Sequence, residues 1–500
     1  MTAAPVLAVV RRRWVVLAML CASLLLVSVD ATVLHMALPA LSADLRPTAT
    51  AQLWIISVYS LVAAPLLLAF GTLGDRYGRR RILVLGYLVF GLASLGCALA
   101  PNVPVMIAMR ALLGVGGAMI MPATLSLLRQ AFPDRAERRL AIGIWSGVAG
   151  SGAVLGPLLG GFLVQTFSWH AAFLINVPVM VAAVPLTFWL IPESSDPPDG
   201  PWDLRSAVLA ALGVVGIAFL IKQTQHGGAM YVLGPAAGLA GGLLLAAFVR
   251  RQRRLRVPLL PVQLFGNPAF SVAVGSVFVV LAALVGLGLL FAQYLQLVLA
   301  LEPMDAALRL LFVMVAAIVG SLVAGPLLQR FGNRLMIIMG FAVSAIALAF
   351  AAMGIAVTEN LWLLGPVLAV TGFGVSVSLT AASDSLLAIA PAEHAGAAAA
   401  VEETAYELGA GLGVAILGSL ATGVYAASLD VPGTARDGLT EATTVASALP
   451  PQAGAALLEA ARLAFVDGLR VALVAGTVLF VLAAVAAARA LPKSKETRQI

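Results

Sequence analysis

The sequence predicts an all-α integral membrane protein: fourteen transmembrane helices, forming two six-helix pseudo-repeat halves plus two inserted helices. Three observations carry that prediction. Apolar residues are too abundant for a soluble fold, fourteen apolar runs have spanning length, and one short motif returns 254 residues later. Apolar types make up 61% of the 500 residues and charged types 11%, against about 45–50% and 25% in soluble domains. So little polar surface cannot clothe a soluble chain of this size, so lipid must solvate much of it. The net charge of +7 does not signal nucleic acid, because the basic residues sit in short clusters between apolar runs. Cys21 and Cys97 lie inside apolar runs without metal-ligand or redox spacing, and read as small core hydrophobes.

The apolar segments lie near 14–39, 51–71, 82–100, 104–128, 140–165, 171–191, 206–222, 230–249, 271–298, 305–327, 335–357, 361–389, 397–426 and 465–488. Backbone groups in hydrocarbon must be bonded within the segment, so each is a helix. The first follows Arg11, Arg12 and Arg13. It continues for the roughly 20 residues a span needs, so it is expected to be retained rather than cleaved. An even count puts both termini on one side. With the N-terminus inside, inner segments hold 23 of the 30 Lys and Arg and outer connections four, Arg46, Lys222, Arg436 and Arg462. That excess predicts cytoplasmic termini.

Residues 71–80 read GTLGDRYGRR and 325–334 read GPLLQRFGNR. Each copy follows the second span of a six-span group. The expected division is a first half at 1–191, a linker at 192–204 and inserted helices with a basic loop at 205–256. A second half follows at 257–488, with an outer loop at 427–464 and a tail at 489–500. Same-orientation six-span halves are a transporter plan, with the substrate site between them near the midplane.

In these motifs the chain resembles the major facilitator superfamily and, within it, the fourteen-span drug:proton antiporters. The loop motif spans Gly71, Asp75, Arg76, Gly78, Arg79 and Arg80. Arg110, Gly114 and Gly116 match the fourth-span motif. Gly152, Gly156, Pro157, Gly160 and Gly161 match the fifth-span antiporter motif. Asp30-Ala-Thr32-Val33 through Ala37-Leu38-Pro39 resembles the first-span motif. Trp169-His170-x-x-Phe173-x-x-Asn176-x-Pro178 and Glu402-Glu403-x-x-Tyr406-Glu407 extend the match. Two departures are His35, where that first-span motif usually has Asn, and Gln329, where the first loop copy has Asp75. The resemblance implies a monomeric bacterial plasma-membrane exporter of lipophilic cations that exchanges them for protons, bathed in lipid and without a cofactor. It also implies a role for Arg110 in proton coupling.

The residues add their own argument. A charge at the bilayer centre costs about 2.5–3.5 kcal/mol on insertion scales, and such residues usually face a cavity. Asp30 has no basic neighbour on its own helix and is the leading candidate for a proton- or cation-binding carboxylate. Glu403 and Glu407 share a helix face four residues apart, where like charges oppose double ionisation. A carboxyl poised to gain and lose a proton is what coupling needs, most of all at Glu407, the deepest. Glu402 points about 100° away, and Asp384 reads as structural or interfacial. Trp54, Tyr59 and Tyr406 are cavity-aromatic candidates, since ring faces attract cations. In the loop motif, Asp75 can accept charge-assisted bonds and the glycines allow tight turns. The whole reads as a latch on one conformational state. The span-five glycines allow close helix approach and Pro157 a bend, which suggests a seam between the halves. His35 is a weaker titrating candidate.

No nucleophile–base pair, metal cluster or phosphate-binding glycine loop is recognisable, which argues against an enzyme and for transport driven by an ion gradient. A proton-linked carrier of one metabolite or lipid, and a non-transporting membrane sensor, stay open as alternatives.

Overall fold

The computed structural model describes residues 4–195, 203–223, 230–255, 258–354, 361–390, 395–429, 431 and 433–492. The centre of the expected linker, Arg256 of the basic loop and the end of the tail fall outside them. The described residues form helices and turns, with no strand. In chain order the helices are α1 (Ala4–Leu45), α2 (Ala49–Tyr77), α3 (Arg79–Ala98), α4 (Val103–Ala131), α5 (Arg135–Thr166), α6 (Ala171–Leu174) and α7 (Asn176–Leu190). Next come α8 (Leu204–Gln223) and α9 (Met230–Gln252), then α10 (Pro268–Gln293), α11 (Pro303–Phe331), α12 (Asn333–Gly354) and α13 (Leu361–Ile389). The last are α14 (Ala395–Ser428), α15 (Leu439–Ser447) and α16 (Pro451–Ala490).

Among the described residues thirteen helices are long and apolar enough to cross a membrane, with α6 and α7 counting as one. Among the described residues α5 holds two shorter apolar stretches, 140–149 and 155–166. Asn and Thr side chains start several spans: Asn102 caps α4, Asn267 caps α10 and Thr48 caps α2, each giving an otherwise unpaired helix N–H an acceptor.

Two large apolar clusters fill the molecule, one built mainly from α1–α7 and the other from α10–α16. Large aliphatic side chains such as Leu322 and Leu482 face outward instead, as a lipid-solvated bundle requires. The pair α8–α9 packs on itself and lays α8 along α2 and α14. Leu61, Val214 and Ala218 are buried there, with Leu408 and Leu412 against them.

The last helix departs from expectation. The apolar pattern starts its span at 465, with an outer loop at 427–464 before it. Instead α16 runs unbroken for 40 residues, about 60 Å at 1.5 Å per residue. Nothing in the Ala- and Leu-rich stretch from Pro451 interrupts the backbone bonding, so the helix overshoots the hydrocarbon. Its projecting end packs with α15 around Tyr425, Leu439 and Leu457. The expected loop at 427–464 is thus a helical hairpin at one end of the bundle, the hairpin end. The 71–80 loop marks the opposite, motif end.

Candidate functional site

The site grows from one buried ion pair. Asp30, midway along α1, and Arg110 of α4 are each 1% exposed, and Arg110 Nη1 donates to Asp30 Oδ2 at 2.6 Å. The basic partner that Asp30 lacks on its own helix is supplied 80 residues away. Asn176 Nδ2 donates to Asp30 Oδ1 at 3.1 Å and to Ser94 Oγ at 2.9 Å. Ser94 in turn donates to the Phe173 carbonyl at 3.0 Å. The guanidinium also donates to Ile55 O at 3.0 Å and Ile56 O at 3.4 Å of α2. Taking two charges out of water is costly unless the remaining polar atoms are bonded, and here α1, α2, α3, α4 and α7 all contribute to bonding them.

Tyr59 lies beneath this pair, its ring 5.2 Å from the Arg110 guanidinium carbon. It is 1% exposed and sits against Gly114 and Gly117 of α4, where an added Cβ would strike its carbonyl or hydroxyl. It is therefore a packing residue in this conformation and not a wall of an open cavity. Trp54 faces away from the first half altogether. Its ring packs near Phe219 and lies 3.7 Å from Lys222 Nζ, both on α8. Lys222, counted from sequence as an outer-loop charge, is 1% exposed and donates to Leu53 O at 3.1 Å and to Ser57 Oγ.

Across the bundle, Glu402, Glu403, Tyr406 and Glu407 keep partial exposure while the adjoining Val401 and Ala405 are buried. Glu407 lies near Ser60 of α2 and within electrostatic reach of Arg110. Tyr59 lies within reach of Asp30, Glu403 and Glu407. Glu402 and Tyr406 turn to Ser383 of α13. The stretch from Glu403 through Glu407, Ser60 and Tyr59 to Arg110 and Asp30 thus crosses from one helix group to the other. Glycines allow that proximity: a Cβ at Gly411 would press Leu61 of α2, and one at Gly418 would strike Leu53. His35 is 5% exposed and its Nε2 has no partner among the described residues.

The glycines of α5 were expected to form a seam between the halves. Three of them do something else. Gly152, Gly156 and Gly160 abut Ser28, Thr32 and Val33 of α1, and Thr32 Oγ1 donates to Gly152 O at 3.3 Å, so they join two helices of the same group. Only Gly161 meets the other group, at Pro303 and Met304. Pro157 is buried within α5.

The loop motif is also local. Arg79 pairs with Asp75 at 2.7 Å within the motif. Arg80 and Arg81 reach Glu193 at 3.8 and 3.5 Å, and Arg79 N donates to Ser194 O. Gly78 adopts φ +115° and makes room for the Glu193 carboxylate, which a Cβ would strike. Arg76 stacks near Tyr77, and Gly71 faces Pro122 of α4.

Sequence reasoning missed Asn176, Ser60, Lys222 and Gln52 as parts of polar contacts. Asn176 had a visible signal, a polar residue in an apolar span two before Pro178. The others are ordinary residues whose partners come from distant spans.

Sequence and fold likeness place the chain among known proteins. The profile described as Major Facilitator Superfamily matches residues 20–414. The chain belongs to that superfamily. It is a membrane transporter by family and fold, and not an enzyme. The "Multidrug efflux pump LfrA" of Mycolicibacterium smegmatis is 40% identical over 484 residues, covering 95% of each chain. The "Methyl viologen resistance protein SmvA" of Salmonella typhimurium is 39% identical over 481 residues, covering 94% of this chain and 97% of that one. The "Tetracenomycin C resistance and export protein" of Streptomyces glaucescens is 32% identical over 503 residues, covering 95% and 91%. Among solved structures, a bacterial homologue of the human lysosomal transporter Spinster, inward-facing and unoccupied, superposes with TM-score 0.64. It is 19% identical, with 96% of this chain and 99% of that one covered. That likeness speaks for the fold.

Proposed function

We propose that this protein exports lipophilic, mainly cationic compounds in exchange for protons, by alternating access between two six-helix lobes related as pseudo-repeats. In this reading α5 is the fourteenth span, and both termini and the motif end face the cytoplasm of a bacterium. The hairpin end faces outward, and the chain works as a monomer among membrane lipids.

The observation that carries the proposal is the polar path through Asp30, Arg110, Tyr59, Ser60, Glu407 and Glu403 inside an apolar bundle. Its neutralised end and its free end have different work. Arg110 already balances Asp30, whereas no ion pair engages Glu403 or Glu407 among the described residues. A carboxylate without a fixed counterion can hold a lipophilic cation, and a proton arriving at the same group releases it. One proton exchanged for one monovalent cation moves no net charge, so the drive is the proton concentration gradient, worth about 1.4 kcal/mol per pH unit for each proton exchanged. Names of relatives point the same way: two are called efflux or export proteins, and another confers resistance to methyl viologen, an organic dication. Arg110 then tunes coupling through Asp30 and Glu407, and the Asp75 motif is the latch of another stage of the cycle.

The test is uptake of a fluorescent lipophilic cation into everted membrane vesicles. Accumulation should collapse with an uncoupler and fall at least tenfold in Glu403→Gln/Glu407→Gln. Accumulation that ignores the uncoupler would refute proton exchange, and binding without flux would favour a sensor.

A further inference from the structure

We propose that Glu441, in the hairpin over the outer end, is a proton-binding site whose protonation holds that end shut. The inference rests on the alternating access and orientation proposed above, and not on which compounds are carried.

Helix α15 belongs to the second lobe by sequence and packing, yet its Glu441 reaches the first. Gln52 Nε2 of α2 donates to Glu441 Oε1 at 3.3 Å, and Gln293 Nε2 of α10 donates to Gln52 Oε1 at 3.5 Å. One carboxyl and two amides therefore tie α15, α2 and α10 together. Beneath them a cavity is lined by Leu38, Leu53, Leu289, Leu290 and Phe465 from both lobes. Its polar lining is neutral, Gln52, Gln293, Thr422, Tyr425 and Thr440, and holds no cationic side chain.

The other carboxyl oxygen is buried with no hydrogen-bond partner among the described residues, against Gly438, where a Cβ would strike it. No ion pair reaches Glu441 among them either. The elements packed around the hairpin carry few charges. Asp44, near the end of α1, accepts from Trp169 Nε1 at 3.1 Å, and Arg46 follows that helix. Helices α2 and α10 present neutral Gln52 and Gln293. Tyr425 of α14 donates to Ala435 O, and Arg436 is bonded to Ala426 O. Asp437 stands close enough to repel, and α16 carries Glu459 and Arg462.

A buried carboxyl with one vacant oxygen and an acidic neighbour is better neutral than charged. Burial first, then Asp437, push Glu441 up to about 7, against the opposing bonds from its own backbone and Gln52. Opening would hydrate it and return it towards the ordinary glutamate value of about 4.3. The closed state thus binds the proton more tightly. Closure strengthens as pH falls below about 7, by up to about tenfold per pH unit, and levels off below the open-state value. An external proton would close the outer end after cargo has left, which is the order an exchanger needs.

The test measures the distance between spin labels at Pro101→Cys and Leu449→Cys, on the outer ends of the two lobes, in full-length protein in nanodiscs. The background is Glu403→Gln/Glu407→Gln, so that the central glutamates are silent. The short-distance population should grow as pH falls from 8 to 5. With Glu441→Gln it should be high and flat with pH. With Gln52→Leu, which removes a bond to the charged form, the midpoint should move to higher pH while the slope survives. An unchanged pH response in Glu441→Gln would overturn the inference and leave alternating access standing. A distance that never moves would overturn both.

Discussion

The two helix groups are fastened by different chemistry. In the first, ion pairs do the fastening: Asp30–Arg110 at the centre, Asp75–Arg79 and Arg81–Glu193 at the loop motif, and Arg13–Glu137 between α1 and α5. In the second, hydroxyls and main chain make most of the bonds between helices among the described residues, and the ion pair Arg470–Asp467 stays within α16. Ser344 donates to Thr371 O and Ser378 to Ile337 O, Ser321 pairs with Ser376, and Arg334 donates to Ala488 O at 2.6 Å. The loop copies show the contrast at one position. Both turn through a left-handed glycine, Gly78 and Gly332. Yet where Asp75 holds Arg79, the second copy has Gln329, and its Asn333 donates to Asp384 instead. The lesson is a division of labour. Charge in the first group is held in ion pairs, whereas no ion pair engages the glutamates of α14 among the described residues, and the proposed exchange is built on that difference.

The largest expected effect comes from breaking the central pair. Arg110→Met strands a buried carboxylate and should cost about 3–5 kcal/mol, seen as a lower melting temperature in detergent. Asp30→Asn/Arg110→Met should recover a large part of it, and a double variant no better than Arg110→Met would refute the pairing argument. Next come the helix seams. Gly156→Val drives a side chain into Thr32 and should destabilise by about 1–3 kcal/mol, whereas Gly325→Val, with open space around it, should be nearly silent in the same melt. Smaller again is the loop contrast. Gly78→Ala and Gly332→Ala each lose about 1–2 kcal/mol to the left-handed backbone, and Gly78→Ala should lose more because it also displaces Glu193. The smallest concerns Asp203 beside the inserted pair. Burial would raise it, but bonds from Arg251 and Ser206 hold it below the usual carboxylate range. Its stabilising contribution is therefore present above the unfolded value of about 3.9 and is lost as pH falls through the depressed folded value. Arg251→Gln should flatten that acid limb of a pH–stability curve.

Thirteen of the expected spans were legible among the described residues, because hydropathy in a membrane reports directly on what lipid tolerates, whereas α5 carries only two shorter apolar stretches. Ends were less so. The start of α16 was misplaced because a helix that leaves the membrane changes solvent without changing its backbone bonding. Of the site, Asp30, Arg110, Glu403 and Glu407 were visible as charges in apolar runs. What joins them was hidden, since Arg110 and Asn176 lie 80 and 146 residues from Asp30. Lys222 was misread for the same reason. A basic residue at a span's end looks solvated until a distant Trp54 covers it. The α5 glycines announced close packing but not the partner, which is mainly α1.

The most direct measurement of the central claim is proton movement in liposomes holding the purified protein and a preset pH gradient. Adding a lipophilic cation on the acceptor side should discharge the gradient in the parent protein and leave it intact in Glu403→Gln/Glu407→Gln. Equal discharge in both, or cation flux with no proton movement, would contradict the assignment of the α14 glutamates as the exchanging groups.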